Sequence, residues 1–437
     1  MNILSSENAK AVERLLQPVR VEADATLATV ARIVTAVRRR GDAALRQYAR
    51  RFDGVLGPLE VSRDEIDRQA ARVPASVRSA ISAAARNIEK VASRQRPQSW
   101  KLTTRPGVTV EQRVTPLDRV GCYVPGGRHP LPSSLLMTTI PARAAGVREV
   151  IVVCPRPEPV VMAAASAAGV TRLFRMGGAQ AIAALAYGTE TVPRVDKIVG
   201  PGNQYVASAK ALVAADCSID FYAGPTEILI VSDQGNPEWI AADLIAQAEH
   251  DPQARAVFIT TTRQLALKVA RAVRLQMPRT GPARQSLEAH GGIIIAASRT
   301  EAAELVNRAA AEHLVCDDDS FARLVRAAGS IFIGSYTAQV AGDYAIGSNH
   351  VLPTNGAARF RGGLHTADFV RICTVQRMTR SGLRVLAPTV TTLARQEGLE
   401  AHARSIEVRL GTRVDGRTRG MHTARPLRGR AAVRVAK

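Results

Sequence analysis

Gln247 and His250 stand three residues apart at the end of the stretch Pro237-Glu238-Trp239-Ile240-Ala241-Ala242-Asp243-Leu244-Ile245-Ala246-Gln247-Ala248-Glu249-His250. An amide oxygen and an imidazole at that spacing can leave a helix on one side and meet a common target. The pairing suits a hard or borderline metal ion or a polar substrate, and equally a histidine whose charge is favoured at the negative end of a helix. Glu312-His313 is an adjacent pair whose ordinary pKa values bracket acid and base duties, although a polar helix end has the same composition. Gly342-Asp343-Tyr344 and Asn349-His350 fall in the polar stretch 334–366, read as one long loop. That length fits a functional loop or an ordinary surface excursion. Glu397 and His402 lie five residues apart around Gly398 and need not share a face. Tyr123-Val124-Pro125-Gly126-Gly127, Met176-Gly177-Gly178-Ala179-Gln180 and Gly200-Pro201-Gly202-Asn203-Gln204 each join an apolar run to a helical pattern. Such turns can receive an anion at the helix start or simply reverse the chain tightly. None is Gly-x-Gly-x-x-Gly, so only their layout suggests a dinucleotide.

The elements that must carry these residues follow from periodicity. Asn236 can cap the helix that ends in Gln247 and His250, Pro237 suits its first position, and Ile240, Leu244 and Ile245 give it a core side. Before residue 118 the chain reads as helical scaffolding. Leu27, Val30, Val34 and Val37 repeat at helical spacing, Gly41 ends that helix, and Asp42 opens another with Leu45, Tyr48 and Phe52 inward. Ser62-Arg63-Asp64-Glu65 reads as a capping box, and Val77, Ile81, Ile88 and Val91 form the inner side of a further helix. From about residue 118, short strands (120–124, 149–154, 172–176, 197–199) alternate with Ala-rich helices (160–168, 179–187, 204–214). A second alternating set follows the turn Gly224-Pro225-Thr226-Glu227, with strands near 228–231, 256–260, 293–296 and 331–333. Alternation of this kind gives parallel βαβ units and ligands at the carboxyl ends of strands. Glu312-His313 is placed where the chain leaves the helix 300–310, capped by Ser298 with Glu301. From Ala367 the pattern is mostly helical, with Pro388 separating two segments.

A chain of 437 residues exceeds one ordinary core, so two or more domains are expected. Five cysteines are scattered singly, which argues against a disulfide framework and a thiolate zinc site and fits a reduced cytoplasm. The N-terminus lacks a basic-then-apolar signal pattern, and no apolar run is long enough for a membrane. The formal net charge of +21 raises nucleic acid as a partner. Much of the excess sits beyond Arg409, where Asp415 is the one acid and no aromatic interleaves. A solvated, disordered basic tail is the simpler reading. The nucleic-acid alternative requires salt-dependent binding that vanishes when residues 411–437 are removed.

Taken together, several segments resemble histidinol dehydrogenases. They are Gly121-Cys122-Tyr123-Val124-Pro125-Gly126-Gly127, Gly177-Gly178-Ala179-Gln180-Ala181, Asp196-Lys197-Ile198-Val199-Gly200-Pro201-Gly202-Asn203 and Gln247-Ala248-Glu249-His250. Further along come Ala311-Glu312-His313-Leu314, Gly342-Asp343-Tyr344, Asn349-His350-Val351-Leu352-Pro353-Thr354, and Glu397-Gly398-Leu399 with Ala401-His402-Ala403. They keep the family's order and spacing over roughly residues 20–410, and jointly they are far more specific than any one motif. The resemblance implies oxidation of L-histidinol to L-histidine through the aldehyde level, with two NAD molecules used in turn and one zinc ion per subunit. It implies zinc ligands at Gln247, His250, Asp343 and His402, the last supplied by the partner of a homodimer. Glu312 and His313 match the family's catalytic pair, and Thr226 and Glu397 match substrate-contacting positions. Tyr123, Gln180 and Asn203 match positions lining the dinucleotide site. Ala309 and Ala311 replace a usual Tyr and Pro, Thr226 a usual Ser, His365 a common Ser, and Gln376-Arg377 a usual Gln-Glu.

The expected architecture is therefore α/β, with two open, mainly parallel Rossmann-like domains plus helical terminal segments. Residues 1–117 form a helical part joining the second α/β domain, 118–223 the first domain with the dinucleotide site, and 224–366 the second with the zinc and catalytic residues. Residues 367–410 complete the partner's active site, and 411–437 form the tail. A family paralogue oxidising another polar alcohol is the alternative function. A hydrolytic zinc enzyme is set aside because nothing resembles His-Glu-x-x-His.

Overall fold

The computed structural model describes residues 1–17, 24–126, 129–222 and 224–411. The segment 412–437, expected as a disordered tail, and Gly127 of the first glycine turn lie outside the described residues.

The chain opens with strand β1 (Asn2–Ser5) and a helix, Ala9–Leu16. Helices Asp24–Arg40 and Asp42–Tyr48 precede β2 (Glu60–Val61), and helices Arg63–Ala71 and Ala75–Arg94 lead to β3 (Trp100–Arg105) and β4 (Val108–Pro116). The first α/β run follows: β5 (Arg119–Tyr123), β6 (Glu149–Val153), β7 (Arg172–Phe174), β8 (Lys197–Val199) and β9 (Ser218–Ile219). The second comprises β10 (Glu227–Val231), β11 (Arg255–Thr260), β12 (Gly292–Ile295), β13 (His313–Cys316) and β14 (Ser330–Ile333), and β15 (Val370–Met378) comes last.

Two compact units result. The first, Met1–Gln98 with Val114–Arg371, contains two six-stranded sheets, ordered β2-β7-β6-β5-β8-β9 and β1-β12-β11-β10-β13-β14. Every pairing in them is parallel except β2 with β7. Central strands such as β6 and β11 are continuous apolar runs buried along nearly their whole length, as parallel strands covered on both faces must be. Helix 159–168 buries Val161, Met162 and four alanines, and helix 178–187 is buried from Ala179 to Ala186. Small side chains let these helices lie close to the sheet, which is how a chain poor in aromatics fills its core. The second unit, Ser99–Arg113 with the chain from Ile372, holds most of the β15-β4-β3 sheet and two helices, Arg380–Gln396 and Glu400–Leu410, packed on each other.

Several expectations need correction. The opening hundred residues are not purely helical, since β1 and β2 are sheet edges. Only β1 and its helix join the second sheet, whereas helices 24–40, 63–71 and 75–94 pack against helices of the first. Leu27 and Phe52, expected inward, are exposed; Phe52 stacks its ring on Tyr48 instead. Val77 is likewise exposed, while Ile81 and Ile88 are buried. Ser62 caps its helix by accepting from the Glu65 amide, but the Glu65 carboxylate pairs with Arg175 rather than closing the box. The region after Ala367 begins with strand β15, and helix 380–396 runs straight through Pro388. The break comes at Gly398, which adopts φ 74°.

Candidate functional site

Asn236 starts the helix 237–248 by accepting hydrogen bonds from the Glu238 and Trp239 amides, and Ile240 and Leu244 bury its inner side. Its far end brings Gln247, fully buried, to the amino end of β10. There the Gln247 Nε2 donates to Thr226 Oγ1, and the Thr226 hydroxyl donates in turn to Glu312 Oε2. The Glu227 amide donates to the same carboxylate oxygen at 2.9 Å. His250 lies two residues past the helix rather than on it, and is exposed along with Glu249.

Glu312-His313 is not a helix end. The helix 299–309 stops at Ala310, whose φ of 48° is left-handed, a conformation costing a non-glycine residue about 1–2 kcal/mol. The chain then enters the sheet, and His313 is the first residue of β13, paired with Ile228 of β10. The pair therefore sits at the amino edge of the second sheet, opposite to the edge expected for ligands. Ala309 and Ala311, both buried, pack into the core below.

His313 Nδ1 lies 3.3 Å from the Glu227 carbonyl oxygen and 3.6 Å from Glu312 Oε2, while Nε2 lies 3.7 Å from Asp343 Oδ1. Asp343 belongs to a short helix, Gln339–Tyr344, inside the stretch read as a loop. Gln339 Nε2 donates to its Oδ2 at 2.8 Å, and its backbone carbonyl lies 2.9 Å from His350 Nδ1. His350 Nε2 lies 3.5 Å from Ser134 Oγ, on the helix 132–145 of the first α/β half. Gly342 permits the short helix to lie on β14, because a Cβ there would stand 2.7 Å from the Phe332 ring.

Burial is the largest single influence on Glu312, His313, Asp343 and His350, but charged neighbours together outweigh it at His313 and Asp343. Burial pushes the Glu312 carboxyl up to about 7, although His313 and the Thr226 hydroxyl oppose the shift. Burial alone would lower His313, but the Glu312 and Asp343 carboxylates outweigh it and hold the imidazole above its ordinary value. For Asp343 burial is outweighed by His313 and His350, and its pKa lies below the usual range. His350 is pushed down by burial. A carboxyl near neutrality beside a strengthened base is suited to proton transfer.

Among the described residues, four buried atoms of this cluster lack a hydrogen-bond partner: Gln247 Oε1, His313 Nε2, Glu227 Oε1 and Gln339 Oε1. Unpaired buried polar atoms are costly unless something else engages them. Neutral nitrogen and oxygen donors with one carboxylate suit zinc. Among the described residues, however, no three His, Cys, Asp or Glu side chains gather as a metal site. The chain supplies Gln247, His250 and Asp343 on neighbouring elements of its first unit. Glu397 and His402 belong to the second unit, Glu397 capping helix 380–396 and His402 lying in helix 400–410.

The glycine turns lie at the carboxyl edge of the first sheet. Tyr123, buried, accepts the Gly178 amide on its hydroxyl at 3.1 Å, and burial pushes that phenol up to about 12. Gln180, also buried, donates to Asp53 Oδ2 at 3.1 Å, and the Gly177 amide reaches the same oxygen at 3.1 Å. Asn203 caps the helix 204–213 by accepting from the Tyr205 and Val206 amides. Sequence reasoning missed Asp53, Glu227, Gln339 and Ser134, which hold the named residues from behind. Only Glu227 carried a signal, as the neighbour of Thr226 at a turn.

Two mainly parallel α/β halves, one with glycine-rich turns at its carboxyl edge and the other with a buried Glu–His pair at its amino edge, define an α/β protein built like an enzyme. The sequence model of a family described as histidinol dehydrogenase matches residues 17–410. The chain is 47% identical to the histidinol dehydrogenase of Methanothermobacter thermautotrophicus, over 91% of its own length and 97% of that protein. To that of Pseudomonas aeruginosa it is 44% identical, over 94% and 97%. The crystal structure of histidinol dehydrogenase from Elizabethkingia anophelis superposes with a TM-score of 0.89 at 33% identity, covering 94% of this chain and 98% of that one. The chain belongs to the histidinol dehydrogenase family of NAD-dependent oxidoreductases. Among the described residues no helix is long and apolar enough to cross a membrane.

Proposed function

We propose that this protein catalyses the zinc-dependent, four-electron oxidation of L-histidinol to L-histidine through a bound aldehyde, reducing two NAD+ in turn. It would act as a cytoplasmic homodimer with shared active sites, at the last step of histidine biosynthesis. The observation that supports the reading is the hydrogen-bonded series Gln247–Thr226–Glu312 beside His313, with Gln247 Oε1 and His313 Nε2 buried and without a hydrogen bond.

Gln247, His250 and Asp343, with the partner subunit's His402, would hold the metal. Zinc bound there would anchor the imidazole of histidinol and orient its alcohol carbon. Thr226 and the partner subunit's Glu397 would contact the substrate, and the turns carrying Tyr123, Gln180 and Asn203 would seat the dinucleotide. His313 would take the proton of the alcohol in the first oxidation, and Glu312 would take a proton from the water that adds to the aldehyde before the second. Bound NAD+ would supply the hydride acceptor for each oxidation. The raised pKa of His313 strengthens it as a base, and Glu312, near 7, exchanges protons readily at neutral pH. Keeping both oxidations in one closed site protects the aldehyde from side reactions.

The test is NADH formation by the purified protein with L-histidinol, with and without a chelator. Two NADH per histidine and loss of rate on chelation are expected. Turnover of simple diols but not of histidinol would overturn the assignment.

A further inference from the structure

The turn Gly200-Pro201-Gly202-Asn203 follows β8 and has an unusual anchor. Gly200 has φ 114°, and a Cβ there would stand 2.2 Å from the Tyr123 carbonyl oxygen, so this residue touches the end of β5 directly. Its amide donates to Asp220 Oδ2 at 2.7 Å, and its carbonyl accepts from Lys210 Nζ at 3.0 Å. Lys210 and Asp220 pair with each other, and both side chains are almost wholly buried, at 3% and 1% exposed. Asp220 also accepts the Phe221 amide on Oδ1 at 2.6 Å, and its backbone carbonyl is held by Arg361. One glycine is thus gripped at both its polar groups by opposite charges away from solvent.

A buried ion pair is a weak source of stability, since desolvating two charges offsets most of their attraction. What such a pair does well is hold geometry. We infer that Lys210 and Asp220 are positioning residues that set the Gly200–Asn203 turn against Tyr123 and so fix the seat of the dinucleotide. The inference rests on the proposed dinucleotide reading of Tyr123 and Asn203. Arg361, in the segment between Asp343 and β15, ties the same clamp to the chain that carries His350.

The experiment compares Lys210→Met, Asp220→Asn and the double Lys210→Met/Asp220→Asn variant with Asn203→Ala in the full-length protein. It reads KM for NAD, KM for histidinol, kcat, NADH affinity by fluorescence, and Tm. Each single clamp variant leaves one buried charge unpaired and lowers Tm. The double variant removes both charges and recovers much of that loss. The expected result is that the folded double variant still shows KM for NAD raised about tenfold with NADH affinity weakened in step, while KM for histidinol stays within about twofold. If Asn203→Ala raises KM for NAD but the folded double variant does not, the clamp inference fails alone. If Asn203→Ala also leaves it unchanged, the dinucleotide reading of the turn fails with it.

Discussion

Glu312 is held protonated by its surroundings at an electrostatic cost. It is buried, held up to about 7 from an ordinary 4.5, and receives two donors on one oxygen. Between those two values the unfolded chain has lost a proton that the folded chain keeps. Stability therefore falls as pH rises through that window and stays lower above it. Each pKa unit is about 1.4 kcal/mol, so the cost above pH 7 is at most about 3 kcal/mol. Glu312→Gln keeps an acceptor for Thr226 and the Glu227 amide but cannot ionise. Its Tm should exceed that of the unmodified protein at pH 8, with the gain shrinking towards pH 5, while aldehyde oxidation is lost. Equal Tm differences at the two pH values would show that the carboxyl is not held up by burial.

At the level of elements, what reads from sequence is what local patterns encode. The cap at Asn236, the apolar runs of β6 and β11 and the Ala-rich helices are set by neighbours within a few residues, and all appear as expected. What does not read depends on distant partners. Strand β1 exists because Asn2–Ser5 pairs with Gly292–Ile295, and β15 has a largely exposed pattern because its identity comes from pairing with β4. His313 looked like a helix end because the left-handed turn at Ala310 lacks a glycine to announce it. The helix 339–344 that carries Asp343 is hidden too, being short and lacking an apolar stripe. Its seat depends on Gly342, where an added methyl would press on Phe332. Gly342→Ala should cost about 1–3 kcal/mol from overpacking and displace Asp343. Dialysed protein should then retain less zinc and turn over more slowly. Native zinc content in a folded Gly342→Ala protein would refute that dependence.

For the whole molecule, the proposed ligands fall on two units of the chain, so the proposed shared site can be tested through assembly. In a homodimer with shared sites, Asp343→Ala and His402→Ala each disable every site. A mixed dimer of the two regains one intact site, from the His402→Ala chain's Asp343 and the other chain's His402. Co-expression at equal levels should restore about a quarter of native activity, since half the dimers are mixed and each has one good site of two. If the mixture stays as inactive as the separate variants, each chain completes its own site. The first unit also places its two candidate sites at opposite strand ends, the glycine turns at carboxyl ends and Glu312 and His313 at the amino end of β13. Behind the latter, Arg255 pairs with Glu227 and donates to the Leu16 and Gln17 carbonyls at 2.6 Å each, so the chain's first seventeen residues are wired into the back of the catalytic centre. For anyone preparing the protein this sets a rule of handling. Trimming back to the helix at Asp24 would strip an edge strand and uncover a guanidinium whose partner residue anchors Glu312.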